Sequence, residues 1–161
     1  MNDSTHETEI IVDPKVPLVR IIREFDAPPH KVFRAHTDPA LYAQWNGPRG
    51  TSMHVDHHDC RTGGSYRYLI TRKGFEAAFH GSFHEVRPDR LVQTFSYDGE
   101  PDGVALETLT FTDLGNGRTR LEAQSLCDTF EGRDAWLASG MEVGVEQGYA
   151  KLDRLLEDHA V

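Results

Sequence analysis

Long hydrophobic runs are missing from this chain: no apolar stretch exceeds the four residues from Ala135 to Ala138. Spanning a bilayer takes about 20 such residues, so membrane insertion is excluded as an expectation. Positive charge is also scarce. Seventeen lysines and arginines face 26 acidic residues, for a net charge of −9, and that balance repels phosphate backbones, which argues against a nucleic-acid partner. Cysteine is nearly absent. Cys60 and Cys127 lie far apart and outside any C-x-x-C pair, which fits neither a disulfide framework nor a zinc knuckle. Residues 1–9 lack the basic start and apolar stretch of a secretory signal, so the expected location is cytoplasmic, in a reducing compartment.

What is present suits one domain, since 161 residues bury an ordinary core without staples. The segment 1–14 has no core pattern and reads as a partly mobile tail, with the folded domain over 15–161. From Val16 the chain alternates, placing Leu18, Arg20 and Ile22 on one side and Val19, Ile21 and Arg23 on the other, as in a first strand. Asp26-Ala27-Pro28-Pro29 and Thr37-Asp38-Pro39 then each open a short helix. The first carries Val32, Phe33 and His36 on one face; the second carries Leu41, Tyr42 and Trp45 and stops at Asn46-Gly47-Pro48.

Between Thr51 and Leu126, five turns divide six strands, and connections this short force antiparallel pairing. The segment from about Arg133 to His159 reads as one helix roughly 40 Å long, with Leu137, Met141, Gly144 or Val145, Gly148, Leu152 and Leu155 on one stripe. The expected fold class is α+β: a curved seven-stranded antiparallel sheet around a long C-terminal helix, with two short helices after the first strand.

Several features bear on function. Gly140, Gly144 and Gly148 recur at intervals of four within the expected helix, each at a cost of about 1 kcal/mol against alanine. The stripe serves close backbone packing on the sheet, a homodimer seam, or a cavity left by the missing side chains. Tyr66, Tyr68, Phe79, Phe95 and Tyr97 alternate on strands, with Trp45 and Trp136 at helix ends; they are core residues or the walls of that cavity. Ligand contacts are accordingly expected from Trp45, Tyr66, Tyr68, Phe79, Phe95 and Trp136 together with Met141, Gly144, Val145 and Gly148. Glu107 interrupts the apolar alternation of Ala105, Leu109 and Phe111. It is either a solvent-facing charge near a strand end or a general acid or base.

In a strand of period two His54, Asp56, His58 and Cys60 share a face, which makes His54 and His58 candidate metal ligands. Since no helix supplies a further ligand motif, a solvated polar face is the preferred reading and no metal or other cofactor is assigned. His80, Ser82 and His84 point side by side rather than base to nucleophile, so they do not make a triad.

Taken together, Arg23 to Pro28, Val32 to Pro39, Trp45 to Pro48, Arg61 to Arg67 with its Gly63-Gly64 pair, Gly81 with Phe83 to Val86, Gly117 to Leu121, and Ser139-Gly140-Met141 resemble the activator of heat shock protein 90 ATPase homologue-like family. That family belongs to the START-like, polyketide cyclase superfamily. The resemblance covers about Arg20 to Leu156 and implies a helix-grip fold that binds a small hydrophobic or aromatic molecule. Cyclase- or hydrolase-like enzymes and, in one eukaryotic branch, a co-chaperone in the stress response also occur in it. No shared catalytic set carries over. A chaperone partner is disfavoured, since the eukaryotic co-chaperones carry an additional N-terminal domain and no docking patch is evident here. The chain departs from the family pattern at Asn46, where a second tryptophan is usual, and at Thr62, where proline is usual.

Overall fold

A computed structural model describes residues 6–161. In chain order the elements are β1 (Glu9–Val12), β2 (Leu18–Phe25), α1 (Pro29–Thr37), α2 (Pro39–Trp45), β3 (Ser52–His58), β4 (Ser65–Arg72), β5 (Phe75–Arg87), β6 (Arg90–Tyr97), β7 (Ala105–Gly115), β8 (Arg118–Cys127), α3 (Phe130–Ala138) and α4 (Met141–Glu157). All strands pair antiparallel in one eight-stranded sheet, ordered β1-β2-β8-β7-β6-β5-β4-β3.

The eighth strand comes from the segment expected to be tail. Asp13 turns the chain by accepting the Lys15 and Val16 amides at 2.7 and 3.1 Å, and Ile10 and Ile11 then pair with Ile21 and Arg20. Residues 1–5 of that expected tail lie outside the described residues. The two short helices start much as expected. Asp38 caps α2 through the Ala40 and Leu41 amides, while α1 has Pro28 at its cap position and no side-chain cap from Asp26.

The long C-terminal helix is two helices. Thr129 caps α3 by accepting the Gly132 amide, and the helix ends where Ser139 Oγ donates to the Trp136 carbonyl at 2.6 Å. Gly140 then takes φ +87°, a left-handed conformation that costs glycine nothing and other residues about 1 kcal/mol or more. That reversal lets α4 set its own angle, so Met141, Tyr149, Leu152 and Leu156 are buried.

Inward-facing residues follow the strand period: Val19, Ile21, Arg23 and Phe25 on β2, Tyr66, Tyr68 and Ile70 on β4, Leu109 and Phe111 on β7. Arg23 is the exception in character, a guanidinium only 3% exposed. It donates to both oxygens of Asp153 on α4, at 3.0 and 2.5 Å, and to the Glu24 carbonyl at 2.7 Å. Phe25 meets Tyr149 edge to face at 5.3 Å beside this pair, so one strand carries both the charged and the aromatic grip on α4.

Deleting one partner of a buried ion pair strands the other charge in low dielectric. Asp153→Ala is expected to cost about 3 kcal/mol or more, read as a lowered urea midpoint. Asp134→Ala, which removes a carboxylate that is 64% exposed, is expected to change that midpoint little.

Candidate functional site

A partly open void of about 30 Å³ lies on the inner side of the sheet, lined by His36 from α1, Tyr42 from α2, His58, Tyr66 and Phe83 from β3–β5, Leu91 and Gln93 from β6, and Leu109 from β7. It has room for a water molecule or two, well short of the ~300 Å³ of a typical small-molecule site. Its position also differs from the expected one. The void sits under α1 and α2 rather than under the C-terminal helix, and no α4 residue lines it. The physical reason is that α4 packs tightly: Leu152 is fully buried, with Tyr149 and Leu156 nearly so.

Two strand irregularities shape the lining. A bulge between Val55 and His57 sets His57 opposite Arg67 and His58 opposite Tyr66. The extra residue reverses the alternation, so His54 faces outward and exposed while His58 turns in. The shared face expected for His54 and His58 therefore does not exist, and among the described residues no three metal-ligating side chains converge. At Gly81 an added Cβ would come within 2.0 Å of the Thr94 carbonyl and 2.6 Å of the Tyr66 hydroxyl. Glycine there lets Tyr66 cross to β6 and donate to that carbonyl at 2.6 Å.

The polar groups of this interior are specific. His36 Nδ1 lies 2.8 Å from the Val32 carbonyl, and since a carbonyl only accepts, Nδ1 carries the proton and Nε2 keeps a lone pair. Burial lowers the His36 pKa to about 4, against the pull of that carbonyl. His58 is also lowered, again mainly by burial, against the pull of the Thr37 carbonyl and the Asp38 carboxylate, and its buried Nε2 makes no hydrogen bond of normal geometry.

Glu107 faces inward next to the void, not outward as a strand-end charge. Gln93 Nε2 donates to one of its oxygens and Ser125 Oγ to the other, each at 2.9 Å. These three residues face one another across β6, β7 and β8. Burial raises the Glu107 pKa, with the two hydrogen bonds opposing.

The remaining expected contacts spread outward from there. Tyr66 and Tyr68 are buried and stacked at 6.0 Å, and Phe79 and Phe95 continue the strip at 5.5 and 5.2 Å. Trp45 donates its indole N–H to the Ala35 carbonyl at 2.9 Å and stacks on Tyr149, closing the space from above rather than lining it. Trp136 and Val145 are half-buried against the core, and Met141 is buried in it. Of the glycines, Gly140 is the break before α4. A Cβ on Gly144 would meet only Pro48 at 3.8 Å, whereas one on Gly148 would press the Trp45 carbonyl at 3.2 Å. Close packing therefore explains Gly148, against the end of α2 rather than the sheet. On the outer face His80 pairs with Asp98 at 2.6 Å, not with Ser82. Burial holds the Cys60 thiol at about 11, far from a reactive thiolate.

The residues that sequence reasoning missed as lining are His36, Tyr42, His58, Phe83, Leu91, Gln93 and Leu109. Gln93 and Ser125 carried a usable signal, since each is a polar residue on the inward register of Glu107. His58 carried none, because its orientation depends on the bulge.

The geometry is that of the START-like class, an antiparallel sheet gripping a C-terminal helix, with polar groups held inside. A profile of the Activator of Hsp90 ATPase homolog 1-like proteins matches residues 26–157, and the chain belongs to that family. Among solved structures, a protein from Rhodobacter sphaeroides is 31% identical, with TM-score 0.82 and 93% of this chain and 99% of that one covered. One from Mycobacterium smegmatis superposes at TM-score 0.84 with 23% identity, over 93% and 97% of the two chains. The AHSA1 protein of Silicibacter pomeroyi shares the fold at TM-score 0.71 and 21% identity, over 88% and 99%. No curated protein matches. Among the described residues no helix is long and apolar enough to cross a membrane.

Two outcomes follow from this geometry. Gly144→Ala is expected to gain up to about 1 kcal/mol from helix propensity, while Gly148→Ala loses about 1 kcal/mol by crowding backbone; thermal melting of the pair checks this. His36 titrates near 6.5 when unfolded and near 4 when folded. Between these values the unfolded chain binds a proton that the folded chain does not, so stability falls as pH drops from 6.5 to 4, by up to about 3 kcal/mol. Urea denaturation across that range should show the slope, and His36→Gln should flatten it.

Proposed function

We propose that this chain is a binding domain for a small hydrophobic or aromatic molecule, held against the inner sheet face beside His36, His58 and Glu107. The observation that carries the reading is the buried Nε2 of His58, without a hydrogen bond of normal geometry, at the void. An unsatisfied buried polar atom costs about 1–3 kcal/mol, which a core serving stability alone has no reason to keep. Tyr66, Tyr68, Phe79 and Phe95 offer an aromatic wall for the body of the ligand, with Trp45 closing it on the helical side. Because the void is only about 30 Å³, binding involves outward movement of the covering side chains. The setting proposed is the cytoplasm, where Cys60 and Cys127, both free, remain reduced.

A second reading is favoured by Glu107 itself, whose buried carboxyl has the raised pKa of a general acid or base. Turnover of a bound molecule would separate catalysis from carriage.

The binding reading is tested by titrating the protein with phenethyl alcohol and following Trp45, which lies edge-on to both His36 and Tyr42 at the void. A saturable fluorescence change is expected. Leu91→Phe, which fills the void, should keep stability within about 1.5 kcal/mol and abolish the response. An unchanged response in that variant removes the site from consideration.

A further inference from the structure

Among the described residues the Glu107 carboxyl makes no ion pair. Its charge bears on Tyr42 on α2, Tyr66 and Tyr68 on β4, Cys127 on β8 and Tyr149 on α4, and Arg133, the cation that also bears on Cys127, is engaged by Asp134 and by the Asp13 and Val16 carbonyls. Its two hydrogen bonds come from a neutral amide and a neutral hydroxyl. A carboxylate has about four lone-pair sites, so about two remain open. The buried guanidinium of Arg23 is engaged by Asp153 on the far side of the core.

The surroundings share one character. Ring faces line the inner sheet in a continuous strip, with Tyr66–Tyr68 at 6.0 Å, Tyr68–Phe79 at 5.5 Å, Phe79–Phe95 at 5.2 Å and Tyr66–Phe83 at 5.2 Å. Aromatic faces attract cations, the more so when desolvated. His36, neutral and with its proton committed to the Val32 carbonyl, presents a lone pair and not a charge. The net charge of −9 raises the local concentration of cations and lowers that of anions. A site of acceptors and ring faces around an acid without a counter-ion is complementary to a hydrogen-bond donor that carries positive charge.

We infer that the interior site selects an organic ammonium ion, a primary amine on an aryl or alkyl body, whose N–H groups reach the Glu107 carboxylate while its apolar part lies on the Tyr66, Tyr68, Phe79 and Phe95 rings. This rests on the ligand-binding reading above and names its ligand class. No covalent step is involved. The amine arrives protonated, and Glu107, where it is protonated in the free protein, gives its proton to solvent as the ion pair forms.

The test is calorimetric titration of the full chain with phenethylamine, phenethyl alcohol and phenylacetate, which differ only in the polar group. The amine is expected to bind at least tenfold tighter than the alcohol, with phenylacetate weakest. In Glu107→Gln, which preserves shape, with the amide oxygen still accepting from Gln93 and the NH2 donating to a turned Ser125 hydroxyl, the amine-to-alcohol ratio should fall toward one. Amine affinity in the unmodified protein should rise with pH as Glu107 ionises, with proton release visible as a dependence of the heat on buffer, and neither effect should survive in Glu107→Gln. Equal affinity for amine and alcohol, or a preference retained in Glu107→Gln, overturns the ammonium assignment and leaves the binding reading standing. Failure of all three compounds overturns both.

Discussion

One helix has to close a sheet wider than itself. The 17 residues of α4 span about 25 Å at 1.5 Å each, while eight strands set about 4.8 Å apart extend roughly 34 Å. The helix is clamped toward one side of that span, where Arg23 and Phe25 on β2 take hold of Asp153 and Tyr149. The rest is left to α1, which packs on β7 and β8, and α2, which packs on β3. These two covers meet where Trp45 stacks on Tyr149 and where Gly148 backs onto the end of α2. The void lies under the second cover, because two short helices with different axes do not fill a concave face as a single amphipathic helix does.

That division separates two kinds of interior polar group. Under α4 the interior charge is neutralised, with Arg23 facing Asp153 across the strand–helix gap. Away from that pair, the polar partners of His36 and Glu107 are neutral, and His58 Nε2 makes no hydrogen bond of normal geometry. Burial pushes the two imidazoles down and the carboxyl up, so all three tend toward their uncharged forms. Uncharged groups retain hydrogen-bonding capacity at a modest desolvation cost.

Much of the architecture was legible along the chain. Strand alternation at Val19, Ile21, Arg23 and Phe25, proline-led helix starts at Pro29 and Pro39, and the turn residues between β3 and β8 each carry local physics strong enough to read directly. Glu107 stood out because it broke an apolar alternation, and the structure places it on the inner face that such a break implies. The tail was misread because Glu9–Val12 is only four residues long, too short for periodicity to show; its partner on β2 makes it a strand. The single long helix was misread because Ser139-Gly140 in a helical context resembles an ordinary weak spot until the left-handed φ of Gly140 is seen.

What the sequence determined by itself were features governed by neighbours in the chain: the class of fold, and the order from a strand through two short helices and six antiparallel strands to a helical C-terminal segment. Tertiary structure alone decided the site. His58 faces the interior because a bulge against β4 inserts one residue, and such slippage is a property of a strand pair, not of either strand. The void belongs to α1 and α2 and not to the C-terminal helix, since that depends on where the Arg23–Asp153 pair anchors α4 across a separation of 130 residues. Whether a glycine opens space or admits a neighbouring backbone was likewise settled only by the atoms opposite it, as Gly144 and Gly148, one turn apart, show.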